Sequence, residues 1–136
     1  MNKQASVLLV EDEKRSGGWL NRFLQHAGYK CHLADNGLAG ISLLEKEKIQ
    51  VVISDVELPD MDFTDFVKTV KVKKPYVEVI FLAAHGSIYE AVRAIRSGAF
   101  NYLVRGRNDD ALLPTLFEAN KLVFSHEQHY YAHKKS

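Results

Sequence analysis

Five short apolar runs alternate along this chain with five longer segments whose apolar residues recur at helical spacing, and no other feature limits the fold as much. Residues 5–10 are apolar apart from Ser6, which suits a strand buried on both faces. Trp19, Leu20, Phe23, Leu24 and Ala27 then recur at i, i+3 or i+4 and predict a helix that stops at Gly28. Gly17 and Gly18 weaken its first turn by about 1 kcal/mol each relative to alanine. Residues 29–34 read as a second strand, Asp35-Asn36-Gly37 as a turn, and Leu38, Ile41, Leu43 and Leu44 as a helix running to about Lys48. Residues 51–54 form a third strand leading to Asp55, with Pro59 in the loop beyond. Phe63, Phe66, Val67 and Val70 give a helix stopped by Pro75. Residues 77–82, then Ile88, Ala91, Val92 and Ile95, then residues 100–104 give strand, helix and strand, the helix ending near Gly98. Leu112, Leu113, Leu116, Ala119 and Val123 make a last helix, with Pro114 tolerable only in its first turn. Five strand–helix repeats call for an α/β fold: a (βα)5 doubly wound, five-stranded parallel sheet covered on both faces.

Such a chain of 136 residues is the size of one domain. Its 46% hydrophobic and 26% charged residues are ordinary for a globular protein. A formal net charge of +1 gives no bulk electrostatic case for binding nucleic acid or a membrane surface. Cys31 is the only cysteine, so no intramolecular disulfide forms. The first apolar run is too short for a signal peptide and no stretch approaches a membrane span, so the expected location is the cytoplasm.

In doubly wound sheets, sites sit just beyond the carboxyl ends of the strands. Here strand one ends in Glu11-Asp12, strand three in Asp55 and strand four at Ala83-Ala84, while strand five leads to Arg105. Taken singly, each acid reads as a solvated strand-end residue. If strands one and three are neighbours, three carboxylates converge on one rim, which is costly unless they are protonated or neutralised. Mg²⁺ neutralises such a set well, because it takes oxygen ligands from one or two carboxylates plus phosphate oxygens. A carboxylate beside it can act as a nucleophile toward a phosphoryl group.

The stretches VLLVEDE, VVISDVELPD, VIFLAAHGS and SGAFNYL resemble the receiver domain of two-component response regulators over about residues 5–125, with Pro59 four residues after Asp55 as the most specific mark. The resemblance implies a flavodoxin-like three-layer sandwich. It implies Asp55 as phosphoacceptor, Glu11, Asp12, Asp55 and the backbone carbonyl of Glu57 as Mg²⁺ ligands, and Tyr102 as an aromatic switch residue. AAHGS and SGAFNYL look most like receivers that precede ATP-driven transcription activators. The implied partners are a histidine kinase or phosphotransfer protein, and an output domain or partner protein. The contact surface would run from the fourth helix to the fifth strand and helix, here residues 87–97 and 101–104, with a homodimer as a further expectation. Direct nucleic-acid binding by this domain and membrane association are not expected. Nor is enzymatic turnover beyond self-phosphorylation and self-dephosphorylation.

Three departures from the family pattern stand out. Ala83 replaces the usual Thr or Ser, and a methyl group cannot hydrogen-bond a phosphoryl oxygen. Arg105-Gly106 replaces the usual Lys-Pro; Arg105 keeps the charge, but its planar fork is not an ammonium, and Gly106 has no cis option at ordinary cost. Phe63 stands where a glycine is usual, and would be strained if the site needed positive φ, so a reshaped loop is expected. These changes damage the readout more than the chemistry. The competing function is a phosphorylation-independent interaction module on the same fold. A flavodoxin-type cofactor binder is disfavoured because Glu11-Asp12-Glu13 occupies the loop where a phosphate would sit.

The remaining features read as structural. Ser87 is expected as a helix N-cap, His85 as a loop residue, and Trp19 and Tyr76 as packing residues. Lys71, Lys73 and Lys74 read as a solvated helix end. His126, His129 and His133 share a helical face that could take Zn²⁺ or Ni²⁺, but a solvated terminal helix is the favoured reading. The domain is placed at residues 1–125, with 126–136 as a helical extension or linker.

Overall fold

The computed structural model describes residues 5–12, 14 and 18–135, the side chains of 131–135 excepted. Glu13, Gly17 and the side chain of His133 lie outside the described residues. The elements run β1 (Ser6–Val10), α1 (Trp19–His26), β2 (Lys30–Ala34), α2 (Gly37–Lys46), β3 (Val51–Asp55), α3 (Phe63–Lys73), β4 (Glu78–Ala83), α4 (Ile88–Arg96), β5 (Asn101–Val104), a 3₁₀ turn (Asp109–Ala111) and α5 (Leu112–Lys135). All neighbouring strands are parallel, in the order β2-β1-β3-β4-β5. The order reverses between β1 and β3. Right-handed crossovers therefore put α1 on one face and α2 to α4 on the other, and α5 returns over β3 and β4.

The continuous apolar runs are central strands because both of their faces are covered. β1, β3 and β4 are buried almost throughout, and Phe66, Val67 and Val70 from α3 and Leu116, Ala119 and Val123 from α5 close the two layers with no exposure. Pro114 sits in the first turn of α5, where its missing N–H costs nothing. Asn36, Asp62 and Ser87 cap α2, α3 and α4, each accepting a backbone N–H two or three residues on.

Lys71 differs from the expected solvated helix end, whereas Lys73 stays exposed there. Lys71 donates to the Val77 carbonyl at 2.7 Å and pairs with the buried Glu78 at 3.3 Å, and Lys73 reaches Glu45 at 3.2 Å. A buried carboxylate at a strand start needs such a partner, so Lys71 is committed to the fold. Phe63 opens α3, and among the described residues no non-glycine has positive φ. Its buried ring meets Phe81 edge-on at 5.4 Å, and the Arg93 guanidinium lies 5.0 Å from its centroid. A side chain replaces the usual glycine here by filling space, without backbone strain.

Candidate functional site

The strand register assembles the site. Val10 pairs with Ser54 and Ala83 with Val104, so Glu11, Asp55, Ala83 and Arg105 all arrive at one rim of the sheet. The Glu11 amide bonds the Ala34 carbonyl at 3.0 Å and the Arg105 amide bonds the Ala83 carbonyl at 2.9 Å, which carries the ladder one step past the strands. Glu11, Asp12, Asp55, Glu57 and Pro59 line one cleft. A neighbouring cavity of about 380 Å³ is lined by Asp12, Asp55, Glu57, Ala83, His85 and Arg105, among others.

Arg105 settles the charge of this rim. Its Nη2 donates to Glu11 Oε2 at 3.2 Å and Asp55 Oδ1 at 3.4 Å. The Glu11 side chain is only 4% exposed, so this guanidinium replaces much of the water that a carboxylate otherwise needs. Glu11 is thus turned to an internal cation. Among the described residues, no three His, Cys, Asp or Glu side chains stand together as a ready metal-binding group. Asp12 and Asp55 still share the cleft with Glu57. That hard-oxygen donor set suits Mg²⁺, which keeps several waters and needs only one or two carboxylates.

The sequence-predicted switch residue is held elsewhere on the same rim. The half-buried Tyr102 hydroxyl donates to Glu90 Oε1 at 2.5 Å and accepts from the Ser87 N–H at 3.2 Å. Burial, and then the Glu90 carboxylate, push its hydroxyl up to about 12. Ser87 is the N-cap of α4, its hydroxyl accepting from the Glu90 amide at 3.0 Å, and His85 is a loop residue on the cavity wall. Ala83 is 2% exposed and presents only a methyl group. The Lys-Pro position is rebuilt. Gly106 has φ +82°, no peptide bond is cis among the described residues, and Asn108 and Asp109 accept the amides of Val104 and Gly106 at 2.9 and 3.0 Å.

Sequence reasoning missed three contributors. Glu90 carries no motif, and only its place one turn into α4, below Ser87, could have suggested it. Asp60 accepts the Gly37 and Leu38 amides at 2.8 and 2.9 Å and so ties the β3–α3 loop to the start of α2. Burial raises the Asp60 carboxyl, but these backbone donors outweigh it and hold the group below its ordinary range. Trp19 packs on Phe23 at 5.9 Å, as expected, and its ring also lies 5.9 Å from the Arg105 guanidinium carbon. Tyr76 also packs, its ring tilted against Tyr130 with the centroids 5.5 Å apart. His126 and His129 lie on α5.

Comparison with known proteins agrees with this architecture. A family model described as the response regulator receiver domain matches residues 7–117. The transcriptional regulatory protein GlrR of Escherichia coli (strain K12) is 35% identical over 118 residues, which is 87% of this chain and 27% of that protein. The chain therefore spans about a quarter of the length of that relative. The chemotaxis response regulator CheY4 of Vibrio cholerae superposes with a TM-score of 0.75 at 30% identity, over 85% of this chain and 98% of that one. The beryllofluoride-activated NtrC4 receiver domain dimer gives a TM-score of 0.79 at 29% identity, over 87% of this chain and 98% of that one.

Proposed function

This chain belongs to the response-regulator receiver family, and from that premise we propose that Asp55 accepts a phosphoryl group from a histidine kinase or phosphotransfer protein and that the domain then signals to an output domain or partner in transcriptional control. One observation carries the reading: the Asp55 carboxylate ends the central strand β3 and lines both clefts, with Asp12 beside it and a cation donor, Arg105, at 3.4 Å.

Receiver domains of this family hold Mg²⁺ at an acidic pocket. Here Glu11, once released by Arg105, would hold it together with Asp12, Asp55 and the Glu57 carbonyl. When bound, it supplies charge neutralisation for phosphoryl oxygens. A carboxylate oxygen of Asp55 attacks phosphorus while the bond to the donor atom breaks, leaving an acyl phosphate on Asp55. Arg105 carries five N–H donors and can then turn from Asp55 to a phosphoryl oxygen. Ala83 offers no hydroxyl, so the product does not pull residues 84–87 inward through that contact. The expected readout is weak or rewired, because Tyr102 stays tied to Glu90 and Ser87.

Ile88, Tyr89, Val92 and Ile95 of α4 are exposed and supply the partner surface together with β5 and α5. A homodimer through that surface is part of the proposal, and a solved receiver dimer, NtrC4, shares the fold. Residues 1–125 are read as the receiver and 126–136 as its helical extension, with a cytoplasmic location. No helix among the described residues is long and apolar enough to cross a membrane. The competing reading is a phosphorylation-independent interaction module, favoured by Ala83 and by the Arg105 bridge across Glu11 and Asp55.

Addition of Mg²⁺ and beryllofluoride to ¹⁵N-labelled protein tests the choice. Amides around Asp12, Asp55 and Glu57 are expected to shift in the wild type and to stay in place in Asp55→Asn. Shifts at 84–87 and Tyr102 should be small. No shift in the wild type would leave the interaction module as the better reading.

A further inference from the structure

Trp19 has no part in the chemistry above, yet it touches the group at its centre. Its ring is 37% exposed, packs on Phe23 one turn along α1 at 5.9 Å, and lies 5.9 Å from the Arg105 guanidinium carbon. The same guanidinium donates to Glu11 at 3.2 Å and to Asp55 at 3.4 Å. Three contacts thus hold one side chain: Glu11 just past β1, Asp55 at the end of β3 and Trp19 at the start of α1. A planar, weakly hydrated cation suits an aromatic face and a pair of carboxylates at once, whereas a compact ammonium suits neither as well. With the Glu11 side chain 4% exposed, the carboxylate depends on this partner in place of water.

We propose that Trp19 is a positioning residue that, with Glu11, holds Arg105 across the acidic rim as a built-in counter-cation, which a divalent cation must displace from Glu11 in order to bind. The proposal rests on reading the Asp55 rim as the metal-binding phosphoacceptor site, and it adds a resting state to that site. It also gives the Arg105 replacement a role beyond substitution for lysine. A lysine would neutralise the rim without the planar fork that reaches both Glu11 and Asp55, and would yield Glu11 more easily.

Calorimetric titration of the whole chain with MgCl₂ tests this in the wild type, Trp19→Ala, Trp19→Phe and Arg105→Lys, with melting temperatures confirming that each is folded. Loss of a partly exposed cation–π contact should tighten Mg²⁺ binding about threefold in Trp19→Ala. Loss of the planar fork that spans Glu11 and Asp55 should tighten it about tenfold in Arg105→Lys. Trp19→Phe keeps an aromatic face and should stay near the wild type. Trp19 is the only tryptophan, so wild-type emission should change along the same isotherm as the heat, and this readout stands even if Trp19→Ala does not fold. Equal affinities in all four proteins, weaker binding in Trp19→Ala or Arg105→Lys, emission that does not move while the heat saturates, or no binding in any protein would each overturn the proposal. Tighter Mg²⁺ binding in the variants without any Asp55 phosphoryl adduct would leave the counter-cation standing and remove the phosphoacceptor reading. An adduct with equal affinities would do the reverse.

Discussion

Tyr102 shows how a single side chain can keep its motif position and lose its freedom. In this molecule its hydroxyl is satisfied twice, by Glu90 and by the Ser87 amide, so any rotation has to give up both contacts. Tyr102→Phe should lower stability by about 1 kcal/mol in urea unfolding, since it removes one donor from a half-buried pair. The same residue makes a pH prediction. Its folded value near 12 lies above the ordinary 10.0, so the native state holds this proton more tightly than the unfolded chain. The stability it contributes is complete below pH 10 and is lost as pH rises toward 12. The difference in urea midpoint between wild type and Tyr102→Phe should therefore shrink over that alkaline range and stay constant from pH 7 to 9. A constant difference up to pH 12 would count against the hydrogen bond.

At the scale of elements, the β5–α5 turn and the β3–α3 loop decide how the site is framed. Gly106 holds φ +82° and donates its amide to Asp109; proline can do neither, because its ring fixes φ near −65° and it has no N–H. Restoring the family's proline by Gly106→Pro should therefore destabilise this chain by about 1–3 kcal/mol, read as a fall in melting temperature. Asp60 caps α2 from the other loop. Its folded value lies below the ordinary 3.8, so its contribution is present above that pH and is lost as pH falls through the folded value. Asp60→Asn should melt lower than wild type at pH 7, and the gap should close as pH falls below the ordinary 3.8. Elements of this kind were legible in the sequence wherever the signal was local. The apolar runs of β1, β3 and β4 and the Ser87 cap declare themselves within a few residues. The contacts that were not legible join distant positions. Arg105 meets Glu11 across 94 residues of chain, and Asp60 meets the Gly37 amide across 23. Phe63 looked like a threat to the backbone from its motif position alone, and a helical φ with a ring contact to Phe81 removes that threat.

For the molecule as a whole, the parallel sheet brings the carboxyl ends of β1, β3, β4 and β5 to one rim, and that rim holds Asp55, the neighbouring acids and the replaced Ala83 and Arg105 together. On the proposed function, Asp55 and its neighbouring acids serve phosphoryl chemistry, and Ala83 and the tied Tyr102 weaken its transmission. The most direct test is intact-mass measurement of the chain after incubation with Mg²⁺ and acetyl phosphate, beside Asp55→Asn treated identically. A single phosphoryl adduct on the wild type and none on the variant is the predicted result. An unmodified wild type, folded and in the presence of Mg²⁺, or an adduct that survives in Asp55→Asn, would contradict the assignment of Asp55 as phosphoacceptor.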